Sequence, residues 1–217
     1  MILPDYLVIE GNIGVGKTTL SNMLKERFGG ELLLERFAEN PFLPLFYENP
    51  DRYAFQLELS FMADRFNQIR NIADRIRQKN KLTIADYYFT KSLIFASVTL
   101  KDEELKLFEK LFDIARFELI RPDLFVYLYS KPDVLLENIR KRGRTYESGI
   151  SKDYLSSISE AYKKHLNKVD FPVLYIDVSE FDFVDNNENF TKLVDLMFGS
   201  TYCNGVTIKE IKSSSNG

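Results

Sequence analysis

The run Gly11-Asn12-Ile13-Gly14-Val15-Gly16-Lys17-Thr18 satisfies the pattern G-x-x-x-x-G-K-[ST] and falls between a short apolar run and a stretch with helical spacing. In that setting the glycines let backbone N–H groups turn inward around a phosphate, and the helix that follows adds the positive end of its dipole. Lys17 reaches phosphate oxygens, Thr18 offers a hydroxyl to Mg²⁺, and Thr19 continues the phosphate-binding run. A loop of this kind needs a strand ahead of it and a crossover helix behind it. It therefore constrains the chain to an α/β fold that binds a nucleoside triphosphate, while leaving the chemistry open.

The remaining pattern agrees. Residues 6–10, 32–35, 82–86, 124–129 and 173–178 are short runs of Leu, Ile, Val and Tyr, most ending beside a carboxylate. Between them, 18–28, 50–78, 102–120, 132–141 and 152–169 carry apolar residues at helical spacing. This alternation predicts a five-stranded parallel sheet flanked by helices, with ligands gathered at the carboxyl ends of the strands. With 217 residues, 45% of them hydrophobic, the chain has material for one core. We expect one domain over 1–198 and a polar, mobile tail over 199–217.

Charge and composition narrow the partners. A formal net charge of -3 argues against binding along a nucleic-acid backbone. The single cysteine, Cys203, has no internal partner, the first residues lack the regions of a signal peptide, and no apolar run approaches the ~20 residues that span a bilayer. A cytoplasmic protein that binds neither membrane nor nucleic acid is the expectation. The segment Asn167-Lys168-Val169-Asp170 imitates a guanine-reading motif of GTPases, but it closes a helix and precedes a strand, and no D-x-x-G occurs. It reads as a helix end.

The chain resembles the deoxynucleoside kinase family, which includes deoxycytidine, deoxyguanosine and deoxyadenosine kinases. The resemblance rests on elements in the family's order: Ile9-Glu10-Gly11-Asn12-Ile13, a glutamate closing the second strand, Tyr47-Glu48-Asn49-Pro50-Asp51-Arg52-Tyr53-Ala54-Phe55, a helical arginine, Ser92-Leu93-Ile94-Phe95-Ala96, and Arg142-Gly143-Arg144-Thr145-Tyr146-Glu147-Ser148-Gly149-Ile150. It implies a P-loop kinase that uses ATP and Mg²⁺ to phosphorylate the 5′-hydroxyl of a small deoxynucleoside, and a homodimer or higher homo-oligomer paired through the helices at 50–78 and 102–120. Glu35 resembles the family's catalytic glutamate, a carboxylate able to accept the hydroxyl proton late in a loose transition state. Tyr47 and Glu147 resemble the pair that grips the sugar 3′-hydroxyl. Arg142 and Arg144, beside the Gly143 hinge, resemble a lid that closes on the transferring phosphoryl group.

Two departures stand out. Where the family carries a carboxylate-Arg-Ser triplet after the third strand, this chain has Ala85-Asp86-Tyr87. Asp86 is then the candidate for Mg²⁺ or the 5′-hydroxyl, and lid arginines or Lys91 are the candidates for the missing positive charge. In the base pocket, Glu58 stands where the family's base-reading glutamine is expected, Arg65 matches the family's arginine, and Lys91 takes the place of an aspartate. A carboxylate opposite cations complements guanine, whose N1–H and 2-amino group are adjacent donors, so the expectation is a purine substrate with deoxyguanosine ahead of deoxyadenosine. The thirty Phe and Tyr residues suit a pocket in which a base stacks on a ring. The rivals are a nucleoside monophosphate kinase, whose acceptor pocket needs cations for a phosphate, and a non-catalytic nucleotide-binding protein.

Overall fold

The computed structural model describes residues 1–78, 81–116 and 119–211. Six parallel strands, β1 (Tyr6–Gly11), β2 (Glu31–Leu33), β3 (Thr83–Ala85), β4 (Leu124–Tyr129), β5 (Pro172–Asp177) and β6 (Gly205–Glu210), form one sheet in the order β2-β3-β1-β4-β5-β6. Its helices are α1 (Lys17–Phe28), α2 (Phe42–Glu48), α3 (Pro50–Arg77), α4 (Lys91–Thr99), α5 (Asp102–Ala115), α6 (Pro132–Arg142), α7 (Lys152–Leu166) and α8 (Asn187–Phe198). The strand order reverses between β3 and β1 on one side and β4 on the other, so the carboxyl end of β1, where the glycine-rich loop begins, sits at the switch point of the sheet.

Both faces of the sheet are covered, which is why the central strands read as unbroken apolar runs. Alternate residues serve different cores. Tyr6, Val8, Phe125, Tyr127 and Val173 face a layer that includes Ile69 and Ile72 of α3, Ile94 of α4, Phe108 and Phe112 of α5, and Ile158 and Tyr162 of α7. Leu7, Ile9, Val126, Leu128, Leu174 and Ile176 face an aliphatic layer with Leu20 and Leu24 of α1, Leu135 and Ile139 of α6, and Leu193 and Met197 of α8. The first layer is where many of the aromatics go: Tyr127 lies 5.0 Å from Tyr162 and 5.2 Å from Tyr175, and Phe89 stacks on Phe112 at 5.0 Å. These rings build core, and only some of the thirty remain for a ligand.

Several expectations need correction. The sheet has six strands rather than five, because part of the segment read as a mobile tail pairs with β5 from Pro172↔Gly205 to Asp177↔Glu210. Only Val206 and Ile208 are apolar in this edge strand and Ile208 is exposed, so it carries too little periodicity to announce itself. The remaining tail, 212–217, lies outside the described residues. The second strand ends at Leu33, not at Glu35. The helix expected over 102–120 ends at Ala115, and 117–118 lie outside the described residues. Three helices, α2, α4 and α8, were missed.

Candidate active site

The glycine-rich loop is held by backbone demands that only glycine meets. Gly11 has φ 150, and a Cβ there would sit 2.4 Å from the Leu128 carbonyl oxygen of β4; Gly14 has φ 81, and its Cβ would meet the Leu135 carbonyl of α6 at 2.9 Å. Asn12 is buried and acts as a clamp, its Nδ2 donating to Leu155 O (2.7 Å) and Ser159 Oγ (2.9 Å) of α7 while its Oδ1 accepts from Ile13 N. Asn138 of α6 donates to Gly14 O at 2.9 Å. Lys17 bends back over the loop and donates to Asn12 O at 2.9 Å. Burial, with the nearby Lys91 charge, brings its ammonium down to about 8 against the opposing pull of Glu10, Glu35 and Asp86. Phosphate oxygens would add negative charge beside it and favour the ammonium form.

Asp86, immediately after β3, joins the loop to the acceptor side. Its Oδ2 accepts from Thr18 Oγ1 at 2.5 Å and its Oδ1 from the backbone N–H of Glu35 at 2.8 Å. The Thr18 hydroxyl and the Asp86 carboxylate are therefore adjacent, a donor set that fits a hard cation between phosphate oxygens. Among the described residues no group of three or more His, Cys, Asp or Glu side chains gathers as a metal site, so a cation here would depend on the nucleotide for its other ligands.

Glu35 lies just beyond β2, with its N–H fixed by Asp86. Its Oε1 accepts from Arg65 Nε (2.9 Å) and Nη2 (2.6 Å), and its Oε2 from Lys91 Nζ (2.6 Å). Burial alone would raise this carboxyl; Lys91 and Arg65 outweigh it and hold the group down at about 2. Arg65 is fixed in turn by donating Nη1 to Ser92 Oγ at 2.7 Å, and its guanidinium lies 4.9 Å from the centre of the Phe61 ring. Lys91 thus places a second positive charge on Glu35, beside Arg65. Tyr87, which follows Asp86, turns away and donates to Gln68.

Glu58 stands apart from these charges. It is 2% exposed, its Oε1 lies 3.0 Å from Thr99 Oγ1, and among the described residues no cation forms an ion pair with it. Arg65 and Lys91, expected opposite Glu58, pair with Glu35 instead, and Glu58 keeps Thr99 as its hydrogen-bond partner. Burial pushes Glu58 up to about 7, opposed by the more distant Arg65.

The arginine-bearing segment follows α6, whose end is set by Gly143 at φ 73. Arg142 donates Nε (3.1 Å) and Nη2 (2.6 Å) to Glu147 Oε2, and Arg144 donates Nη1 to Glu147 Oε1 at 3.2 Å. The Arg144 guanidinium also covers the Phe37 ring at 3.9 Å. Glu147 is buried, whereas the two arginines keep partial exposure. Tyr47 of α2 stacks on Tyr146 at 6.2 Å, and burial with the Glu147 charge raises its phenol, so it stays a donor.

One cavity of about 950 Å³ connects all of this, from Gly14–Thr19 through Glu35, Asp86 and Lys91 to Tyr47, Glu58, Arg142, Arg144 and Glu147. Gly11 and Asn12 shape the loop from behind it. Sequence reasoning missed the apolar walls Leu57, Phe61, Phe95 and Tyr154, and the segment from Val178 to Asp185 beside the phosphate loop, where Phe183 packs 3.0 Å from the position of a Cβ on Gly16. That segment follows β5, and the rule that ligands gather at the carboxyl ends of strands points to it.

Comparison with known proteins agrees with this geometry. The family model for deoxynucleoside kinase matches residues 7–203. Deoxyguanosine kinase of Bacillus subtilis (strain 168) is 35% identical over 193 residues, covering 87% of this chain and 93% of that protein. Deoxyadenosine kinase of Dictyostelium discoideum is 32% identical over 180 residues, covering 81% and 73%. The structure of deoxyadenosine kinase from M. mycoides with the products dCMP and a flexible dCDP superposes with a TM-score of 0.75 at 22% identity, covering 88% of this chain and 99% of that one, which shows the shared P-loop fold. The chain belongs to the deoxynucleoside kinase family, and it is a phosphotransferase.

Proposed function

We propose that the enzyme transfers the γ-phosphoryl group of ATP to the 5′-hydroxyl of a purine deoxynucleoside, deoxyguanosine ahead of deoxyadenosine. The observation that carries the reading is the placement of the carboxylates in one cavity: Glu35 and Asp86 beside the phosphate loop, and Glu58 buried among apolar walls without a paired cation. The first suits an alcohol acceptor next to a triphosphate, and the second suits a base edge that offers donors. That relatives at 35% and 32% identity are named deoxyguanosine and deoxyadenosine kinases supports a purine.

In this reading the N–H groups of residues 13–18 and Lys17 hold the triphosphate, and Thr18 with Asp86 would hold Mg²⁺, which would supply charge neutralisation at the phosphates. Glu35 accepts a hydrogen bond from the 5′-hydroxyl and takes its proton as the bond to phosphorus forms. Being held at about 2, it is ionised at working pH but a weak base, which suits a loose transition state in which the proton leaves late. Lys91 and Arg65 keep the carboxylate oriented. Arg142 and Arg144 turn from Glu147 toward the transferring group, while Glu147 and Tyr47 engage the 3′-hydroxyl. A monophosphate acceptor would need free cations on the acceptor side, and there Arg65 and Lys91 are both spent on Glu35.

The functional enzyme is proposed to be a homodimer or higher homo-oligomer in the cytoplasm, with no part played by nucleic acid or membrane. The exposed Leu107 and Ile114, one face of α5, support pairing through that helix. No helix among the described residues is long and apolar enough to cross a membrane. The test offers deoxyguanosine and its monophosphate separately as acceptors with ATP and Mg²⁺. The expected result is phosphorylation of the nucleoside with negligible turnover of the monophosphate; the reverse order would overturn the assignment.

A further inference from the structure

Glu35 takes two N–H groups from Arg65 on Oε1, at 2.9 and 2.6 Å, and one from Lys91 on Oε2, at 2.6 Å. An ionised carboxylate has about four lone-pair sites, two on each oxygen. Oε1 is therefore filled, and Oε2 keeps one site open. A hydroxyl that donates to Glu35 lands on Oε2, the oxygen that Lys91 already holds.

Lys91 has capacity left as well. An ammonium carries three N–H donors, and among the described residues Glu35 is the one hydrogen-bond acceptor of Lys91 Nζ. The other carboxylates nearby are engaged elsewhere: Glu10 accepts from Gly11 N, Tyr88 N and the Tyr162 hydroxyl, and Asp86 from Thr18 Oγ1 and Glu35 N. The Lys91 side chain is 6% exposed, lines the cavity and opens α4, where the helix dipole disfavours a cation. Arg65 alone would balance Glu35, so the three bonded groups carry one net positive charge. A buried ammonium with unused donors calls for a further acceptor. Its charge also opposes that of Lys17, and an anionic group reached by both would relieve the two together.

Resting on the reading of Glu35 as the acceptor of the 5′-hydroxyl, we propose that Lys91 is a further catalytic residue, bridging Glu35 Oε2 and a peripheral oxygen of the phosphoryl group in transfer. The N–H bonds of an ammonium diverge tetrahedrally, so its second acceptor lies about 4 to 5 Å from Oε2. That leaves room between the two for the 5′-oxygen, hydrogen-bonded to Oε2 and facing phosphorus. As the 5′-oxygen bonds to phosphorus, its O–H bond breaks and the proton passes to Glu35 Oε2. The bond from phosphorus to the β,γ-bridging oxygen breaks, and ADP leaves with that electron pair. Lys91 transfers no proton. It offsets the negative charge spread over the peripheral oxygens on the acceptor side, as Lys17 does on the donor side.

The experiment uses the full chain and whichever of the four deoxynucleosides wild type phosphorylates fastest. It measures kcat at saturation, deoxynucleoside affinity without ATP, and the tightening of ADP binding by fluoroaluminate, a mimic of the phosphoryl group in transfer, with Mg²⁺ and the deoxynucleoside present. Lys91→Met leaves the Glu35–Arg65 pair neutral and fills much of the same space. It is expected to lower kcat roughly a hundredfold or more, to keep deoxynucleoside affinity within severalfold, and to lose most of the fluoroaluminate tightening. Lys91→Gln, uncharged but still a donor, is expected to lose as much and serves as the measure if Lys91→Met does not fold. Lys91→Arg, which keeps the charge, is expected to recover kcat about tenfold over Lys91→Met. A kcat within severalfold of wild type in either uncharged variant would overturn the proposal. So would a joint fall of kcat and deoxynucleoside affinity with the fluoroaluminate tightening retained, which would leave Lys91 as a support of Glu35 alone. Near-normal turnover of Glu35→Gln, by contrast, would overturn the reading of Glu35 itself.

Discussion

Glu35 and Glu58 are both carboxylates in one cavity, yet their surroundings drive them in opposite directions. Glu35 sits between Lys91 and Arg65 and falls from an ordinary value of 4.5 to about 2; Glu58 is buried without a paired cation and rises from 4.5 to about 7. The consequences for stability have opposite signs. The Glu35 contribution is fully present above about pH 4.5 and lost as the pH falls through about 2. Glu58 binds its proton more tightly when folded, so it weakens the fold progressively as the pH rises from about 4.5 to about 7. Glu58→Gln should therefore melt at a higher temperature than wild type at about pH 8, by on the order of 2 kcal/mol, and close to wild type at about pH 5; equal stabilisation at both would show that Glu58 is not neutral in the folded chain. Catalysis separates the residues further. Lys17→Ala and Glu35→Gln should each abolish measurable turnover, and Glu35→Gln should still bind both substrates; near-normal turnover of folded Glu35→Gln would move the base role to Asp86. Arg142→Ala and Arg144→Ala should each lower kcat by roughly a hundredfold while leaving deoxynucleoside affinity within severalfold, because their charge meets the phosphoryl group chiefly in the transition state. Kinetics at saturating deoxynucleoside check this, and lost affinity with unchanged kcat would contradict it.

At the scale of elements, what the sequence made legible follows from how each element is held. β1, β4 and β5 are buried on both faces, and their apolar runs identified them with ends misplaced by at most one residue. β2 and β3 are three residues each, and their expected limits ran on into Glu35 and Asp86, residues whose backbone is set by hydrogen bonds rather than by ladder pairing. α2 and α4 were missed because α2 is one short turn-rich piece after Pro41 and α4 is apolar nearly all round, so neither shows an amphipathic stripe. Within the site, the phosphate loop was readable because glycine is forced at fixed positions. The pairing of Arg65 and Lys91 with Glu35 was not, since it joins residues 30 and 56 positions apart through the packing of α3 and α4. β6 belongs here too. It forms the sheet edge beside β5 and none of its residues lines the cavity, so a chain ending before Gly205 should melt roughly 4 °C lower, as expected for a loss of ~1–2 kcal/mol in a domain of this size, with kcat unchanged. An unchanged melting temperature would show that the strand adds nothing to the fold.

For the whole molecule, the sheet order sets the direction of the reaction. With β1 central, the phosphate loop lies at the switch point, the residues after β2 and β3 deliver Glu35 and Asp86 on one side, and the segments after β4 and β5 close the nucleotide side. The acceptor end is walled by α2, α3, α4 and α7, whose side chains at the cavity are mostly apolar apart from the charges on Glu35 and the lone carboxyl of Glu58. The purine preference is proposed on the donors that a base edge would offer Glu58; a buried polar group left unpaired costs ~1–3 kcal/mol, enough for a tenfold or larger preference. The most direct measurement of the central claim is kcat/KM for the four deoxynucleosides with ATP and Mg²⁺ at about pH 8, where Glu58 is largely ionised. Deoxyguanosine is expected first, deoxyadenosine second, and both pyrimidines at least about tenfold lower; a pyrimidine in first place would contradict the base-pocket assignment, and no phosphorylation of any nucleoside would contradict the account as a whole.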